Sequence, residues 1–177
     1  FGMEESYGCL PGTYARDKDA VAATMFLCEA AAFYKTKGKT LWDAMLDMYE
    51  RYGFYQDHVE SITLKGIEGL EKIQKILGTL REKPLTAIGS YEVLKVRDYQ
   101  ADTITDLKDG GVKPTGLPKS NVLYYELQDD AWVCIRPSGT EPKVKFYIGV
   151  KGDSLDDSVE KAKVLGSKML DIVQGLF

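Results

Sequence analysis

The chain has 177 residues, enough to bury a sizeable core in one large domain or two small ones. Its 28% charged and 44% hydrophobic content is that of an ordinary globular protein, and a net charge of −4 excludes a nucleic-acid scaffold, which needs a clustered basic face. Cys9, Cys28 and Cys134 are odd in number and widely spaced, which suits free thiols in a reducing cytoplasm; no apolar run reaches the roughly 18 residues of a membrane span.

The chain opens on Phe1-Gly2-Met3 without an initiator methionine at its first position, so it reads as cut from a longer protein. Glu4-Glu5-Ser6-Tyr7-Gly8 follows, and after a turn at Leu10-Pro11-Gly12-Thr13 comes Arg16-Asp17-Lys18-Asp19. Carboxylates beside a hydroxyl can hydrogen-bond vicinal sugar hydroxyls; the same residues also suit a solvated acidic loop leading into a helix.

Asp19 to Lys37 is apolar on nearly every face, with Asp17 or Asp19 as N-cap and Gly38 as stop, which predicts a buried helix. Thr40 and Asp43 form a capping box for a second, amphipathic helix carrying Leu41, Met45, Met48 and Tyr49 and ending at Gly53. Tyr55 to Leu64 is a strand, in which His58 has no Cys or second His at ligand spacing and so takes a structural or exposed role. We place a domain boundary after residue 64. The first domain is the remainder of an α/β unit, and the second spans 65–177.

The second domain opens with a helix whose stripe is Ile67, Leu70, Ile73, Leu77 and Leu80, closed by Pro84. Tyr91 to Tyr99 alternates as a strand. Thr105 to Ser120, rich in Gly and Pro, is a long loop. Asn121 to Leu127 and Ala131 to Arg136 form a hairpin about Gln128-Asp129-Asp130, and Val144 to Val150 is the fourth strand. A last helix, capped by Ser154 with Asp157, carries Val159, Ala162, Leu165, Met169 and Val173 on one face. The fold class is therefore α+β: helix, four antiparallel strands, helix, with both helices on one sheet face. The acidic run Asp153 to Asp157 is the first turn of that helix and not a metal site.

Between the last two strands lies Arg136-Pro137-Ser138-Gly139-Thr140-Glu141-Pro142-Lys143. Arg136 offers a planar fork to two oxygens of an anion, Ser138 and Thr140 offer hydroxyls, Gly139 leaves the backbone N–H groups uncovered, and Lys145 adds a second positive charge. The alternative is a plain hairpin loop in which Arg136 pairs with Glu141. A nucleophilic Ser138 is disfavoured, because the one histidine is distant and no Gly-x-Ser-x-Gly elbow surrounds it.

This stretch, with Val144-Lys145-Phe146-Tyr147 after it, closely resembles the phosphate-binding loop in the fourth domain of α-D-phosphohexomutases, and Glu4 to Gly8 upstream of Arg16 to Asp19 resembles the sugar-binding loop of that family's third domain. The resemblance runs over essentially the whole chain. It implies a TATA-box-binding-protein-like fold for the second domain, and a four-domain parent that interconverts hexose 1-phosphate and 6-phosphate through a 1,6-bisphosphate such as glucose 1,6-bisphosphate. It implies a phosphoserine and a Mg²⁺ loop in the parent, outside this chain. By position it assigns substrate phosphate to Arg136, Ser138, Gly139, Thr140 and Lys145, the last standing where the family often has arginine. Sugar hydroxyls fall to Glu4 and Ser6, with Lys18 as a further contact.

The Glu-Glu-Ser-Tyr-Gly form leans toward phosphoglucomutase-type members; phosphomannomutase, phosphopentomutase and a non-catalytic phosphosugar-binding module are the alternatives. With no phosphoserine segment and no Asp-rich loop, the chain alone is expected to hold no catalytic residue and to be inactive. Its expected partners are a hexose phosphate, the rest of the same polypeptide and, through the apolar first helix, a second copy of itself.

Overall fold

The structure, a computed structural model, describes all of the chain except Glu5, Ser6, Lys65, Thr140, Phe177 and the side chain of Ile67. The chain divides into two compact units, Phe1–Tyr52 and Gly53–Phe177.

In the first unit, β1 (Gly2–Met3) pairs antiparallel with β2 (Cys9–Leu10), and α1 (Ala20–Thr36) and α2 (Leu41–Tyr52) follow. Asp19 caps α1: its Oδ1 accepts from the Val21 N–H at 2.9 Å and the Ala22 N–H at 3.1 Å. The predicted capping box of α2 forms, with the Asp43 carboxylate accepting from the Thr40 N–H and the Thr40 hydroxyl accepting from the Asp43 N–H. The expectation of a buried α1 is overturned. None of its residues is buried, and Val21, Met25, Phe26, Leu27 and Phe33 are all more than half exposed. Being apolar all round, the helix needs cover on more than one side, and α2 with one two-stranded hairpin supplies too little.

The second unit contains β3 (Phe54–Thr63), α3 (Gly66–Glu82), β4 (Ala87–Ile88), β5 (Tyr91–Asp98), β6 (Thr103–Asp106), β7 (Val112–Lys113), β8 (Leu123–Leu127), β9 (Trp132–Pro137), β10 (Lys143–Gly152) and α4 (Leu155–Gln174). The strands form one antiparallel sheet in the order β3-β10-β9-β8-β5-β6-β7, with β4 pairing β5. The four expected strands are its centre. Two features extend it. Phe54–Thr63, placed before the domain boundary on sequence, pairs with β10 along its whole length, from Phe54 opposite Gly152 to Thr63 opposite Lys143. The stretch expected as one long loop contributes to a short hairpin, in which Ile104 and Thr105 of β6 pair with Lys113 and Val112 of β7.

Alternation along the strands decides the two faces. Val133, Ile135, Val144, Phe146, Ile148 and Val150 point one way and are fully buried with Ile73, Ile76, Leu77 and Leu80 of α3 and Ala162, Leu165, Met169 and Val173 of α4. Each Val, Leu, Ile, Phe or Met among them contributes about 1.5–3 kcal/mol. Leu70 was expected in the α3 stripe but is 47% exposed, and Ile76 takes a core place instead. In β5 a bulge between Val93 and Lys95 shifts the phase, so Val93 and Val96 both face the core. Gly166 lets α4 approach β3 closely, since a Cβ there would meet His58 at 3.1 Å and Glu60 at 3.2 Å. His58 Nε2 lies 2.7 Å from Glu60 Oε1. That is the structural role its isolation in sequence predicts. Asp129 and Asp130 turn from β8 to β9 with φ of 58° each, the left-handed pair of a type I′ hairpin.

Candidate functional site

On the sheet face opposite that core, β9 and β10 place Trp132, Cys134, Arg136, Lys145 and Tyr147. Register sets Lys145 directly opposite Arg136, and Tyr147 opposite Cys134. Side chains at such paired positions start with Cβ atoms about 4.5–5.5 Å apart. Two cations held this way repel each other, and an anion between them converts the repulsion into attraction.

The connecting loop is braced by its own backbone. The Ser138 N–H donates to the Lys143 carbonyl at 2.8 Å, the Lys143 N–H to the Glu141 carbonyl at 2.7 Å, and the Glu141 N–H to the Ser138 hydroxyl at 3.3 Å. The Leu64 N–H ties Pro142 to the strand beyond at 2.8 Å. Arg136 is exposed and makes no ion pair with Glu141, so the pairing that a plain hairpin loop would use is not formed. Gly139 carries no left-handed φ, and a Cβ there would meet nothing within 4 Å.

Arg136, Pro137, Ser138, Gly139, Lys145 and Tyr147 together line a concavity of about 270 Å³. The Lys145 ammonium lies 5.7 Å from the centre of the Tyr147 ring. Burial pushes the Cys134 thiol up to about 11 against the opposing pull of Arg136, so it stays protonated and inert at neutral pH. Of the residues expected here, Arg136, Ser138, Gly139 and Lys145 are brought together; Thr140 lies outside the described residues. Tyr147 escaped the sequence reading, although alternation alone puts it on Lys145's face.

In the first unit, Glu4 and Gly8 stand at the ends of the loop joining β1 to β2, closed by the Glu4 N–H donating to the Gly8 carbonyl at 2.9 Å. Lys18 Nζ lies 3.4 Å from Glu4 Oε1 and 2.9 Å from Asp17 Oδ1. Both carboxylates raise the Lys18 pKa, Asp17 more than Glu4, and Lys18 lowers that of Asp17. Lys18 and Asp17 are therefore both charged at neutral pH. Gly8 is what permits this cluster, because a Cβ there would sit 2.7 Å from Lys18 Cγ and 2.9 Å from Glu4 Oε2. Two of the residues expected at the sugar, Glu4 and Lys18, therefore meet, Ser6 lies outside the described residues, and Asp17 and Gly8 are additions from the structure. An acceptor beside a donor at exposed positions suits polyhydroxyl ligands.

Among the described residues no group of three or more His, Cys, Asp or Glu could hold a metal ion, and no helix is long and apolar enough to cross a membrane.

Comparison with known proteins yields two family models. One, described as phosphoglucomutase/phosphomannomutase, alpha/beta/alpha domain III, matches residues 1–52. The other, phosphoglucomutase/phosphomannomutase, C-terminal domain, matches residues 90–163. A phosphoglucomutase of Staphylococcus aureus (strain bovine RF122 / ET3-1) is 37% identical over 165 residues, an alignment covering 93% of this chain and 30% of that protein. The phosphoglucomutase of strain MRSA252 is 36% identical over the same length and shares. The chain thus spans about 30% of the length of the curated relatives it matches.

Proposed function

Because the chain belongs to the phosphoglucomutase/phosphomannomutase family, we propose that it supplies substrate-binding parts of a mutase that interconverts hexose 1-phosphate and hexose 6-phosphate through a 1,6-bisphosphate, with glucose phosphates as the preferred substrates. The observation that carries this reading is the cross-strand pair Arg136 and Lys145 at the mouth of the open loop. Arg136 grips two phosphate oxygens with its fork, Lys145 neutralises a further charge, and Ser138, Gly139 and Thr140 complete the cradle with hydroxyls and backbone N–H groups. Glu4, Ser6 and Lys18 take sugar hydroxyls.

Such a division suits phosphoryl transfer, which depends on in-line positioning and charge neutralisation more than on acid–base groups. A clamp specific for phosphate and indifferent to the sugar can hold either end of a bisphosphate in turn. The Mg²⁺ of this chemistry would polarise the transferring phosphoryl group; the described residues hold no cluster fit to bind it, so no step here is routed through it. The remainder of the polypeptide is the natural partner of both units, and the uncovered apolar side chains of α1 support pairing with a second copy when the 177-residue chain stands alone.

The test is to titrate the purified chain with glucose 6-phosphate while assaying glucose 1-phosphate turnover. Binding without turnover is expected. Turnover by this chain alone would overturn the assignment of the chemistry to other residues, and absence of any binding would overturn the substrate-grip reading.

A further inference from the structure

We propose that Tyr147 is a positioning residue for the phosphate loop, its ring holding the Lys145 ammonium over the concavity; this rests on the reading of that loop as a phosphate site. Tyr147 lies on the open sheet face, half-buried, one pleat along β10 from Lys145. Its cross-strand neighbours are Cys134 on β9 and Val59 on β3, both smaller than a tyrosine. It has no place in the core, which takes the alternate residues Phe146 and Ile148. Its ring nevertheless lines the same concavity as Arg136, Ser138 and Gly139, with the Lys145 ammonium 5.7 Å from its centre.

The register gives the contact something to offset. Lys145 faces Arg136 directly across the strands, and mutual repulsion drives the more flexible of the two away. Lysine is that one: a compact charge on a four-carbon stem with many rotamers, against arginine's planar fork. An aromatic face attracts an ammonium within about 6 Å of its centroid. The Tyr147 ring therefore contributes to offsetting the repulsion from Arg136 and to keeping the second positive charge at the pocket before the anion arrives. The preorganised charge is then available without the rotamer loss that a free lysine would suffer on binding. The relevant property is the π face and not the phenol hydroxyl, so phenylalanine should serve as well as tyrosine.

The experiment is a glucose 6-phosphate titration of the 177-residue chain, followed by NMR, with variants Tyr147→Leu, Tyr147→Phe, Lys145→Met, Tyr147→Leu/Lys145→Met and Arg136→Ala. Tyr147→Leu should weaken binding about two- to five-fold, the worth of an exposed ammonium–aromatic contact. Tyr147→Phe should bind as the parent does, and Tyr147→Leu should have no further effect once Lys145 is methionine. An unchanged affinity for Tyr147→Leu, an equal loss in the Lys145→Met background, or a Tyr147→Phe loss as large as that of Tyr147→Leu would each overturn the inference. Should Tyr147→Leu fold poorly, the Lys145 Hε protons of the parent chain decide: an upfield ring-current shift supports the contact and its absence refutes it. If both Lys145→Met and Arg136→Ala leave affinity unchanged, the phosphate reading itself fails; if they weaken binding and Tyr147→Leu does not, only the role of Tyr147 fails.

Discussion

Gly149→Ala tests how tightly the open sheet face beside the loop is packed. Gly149 stands opposite Trp132 in the β9–β10 register, and a Cβ built on it would lie 2.2 Å from the indole Nε1 and 2.3 Å from Cε2. These are ring atoms of a rigid bicycle, so the indole must move as a whole. On its other side it stacks on Tyr124, with centroids 5.5 Å apart and planes 13° from parallel. Moving it costs the overpacking penalty of about 1–3 kcal/mol and part of an aromatic pair worth about 0.5–1.5 kcal/mol. The backbone entropy gained by replacing glycine with alanine returns about 0.5–1 kcal/mol. The net expectation is a loss of about 1–3 kcal/mol. Urea unfolding reads this, with Trp132 fluorescence observed in a Trp42→Phe background. In a Trp132→Leu background, followed by circular dichroism, the same glycine substitution should instead stabilise by about 0.5–1 kcal/mol, the backbone-entropy gain alone. An equal penalty with and without the indole would refute the packing argument.

Two further outcomes concern the first unit. The Asp19 carboxylate is held below its usual pKa of 3.8 by the Tyr14 hydroxyl, which donates at 2.5 Å, and by the capped Ala22 and Val21 N–H groups. A depressed carboxylate stabilises fully above its unfolded value and loses that contribution as pH falls through the lower folded value. The start of α1 should therefore fray below about pH 3.8, visible in the Cα shifts of residues 20–24, and Asp19→Asn should lack that acid step. A pH-independent wild-type cap would contradict this. On α1, Phe26 is 55% and Phe33 52% exposed two turns apart, and the isolated chain should dimerise through them. Phe26→Glu/Phe33→Glu should give a monomer by light scattering; a monomeric wild-type chain would count against the pairing.

Much of this architecture is legible in the sequence where the signal is local. The loop from Arg136 to Lys143 carries its meaning in consecutive residues, and Lys145 follows from alternation. The capping box of Thr40 with Asp43 forms in full, whereas at the last helix Ser154 Oγ accepts from the Asp157 N–H as expected and the Asp157 carboxylate accepts from the Asp153 N–H in place of Ser154's. What is not legible depends on partners distant in sequence. Phe54–Thr63 alternates like any edge strand, and nothing within it says that β10, some 90 residues on, is its neighbour. The phase shift in β5 needs one extra residue at Leu94, which a period-two pattern cannot reveal. Composition marks α1 as a helix for a core, but composition carries no information on whether that core lies within residues 1–52. The Lys18 cluster hides for a related reason: Gly8 matters through a contact ten residues away in sequence.

The central claim is that the loop between β9 and β10 grips a phosphate. Its most direct measurement is the affinity of the chain for glucose 6-phosphate with Arg136 intact, as Arg136→Lys and as Arg136→Ala. Charge-assisted hydrogen bonds of about 1.5–3 kcal/mol predict a roughly ten- to hundred-fold loss for alanine, with lysine between, since it keeps the charge and gives up the fork. Equal affinities across the three would contradict the account.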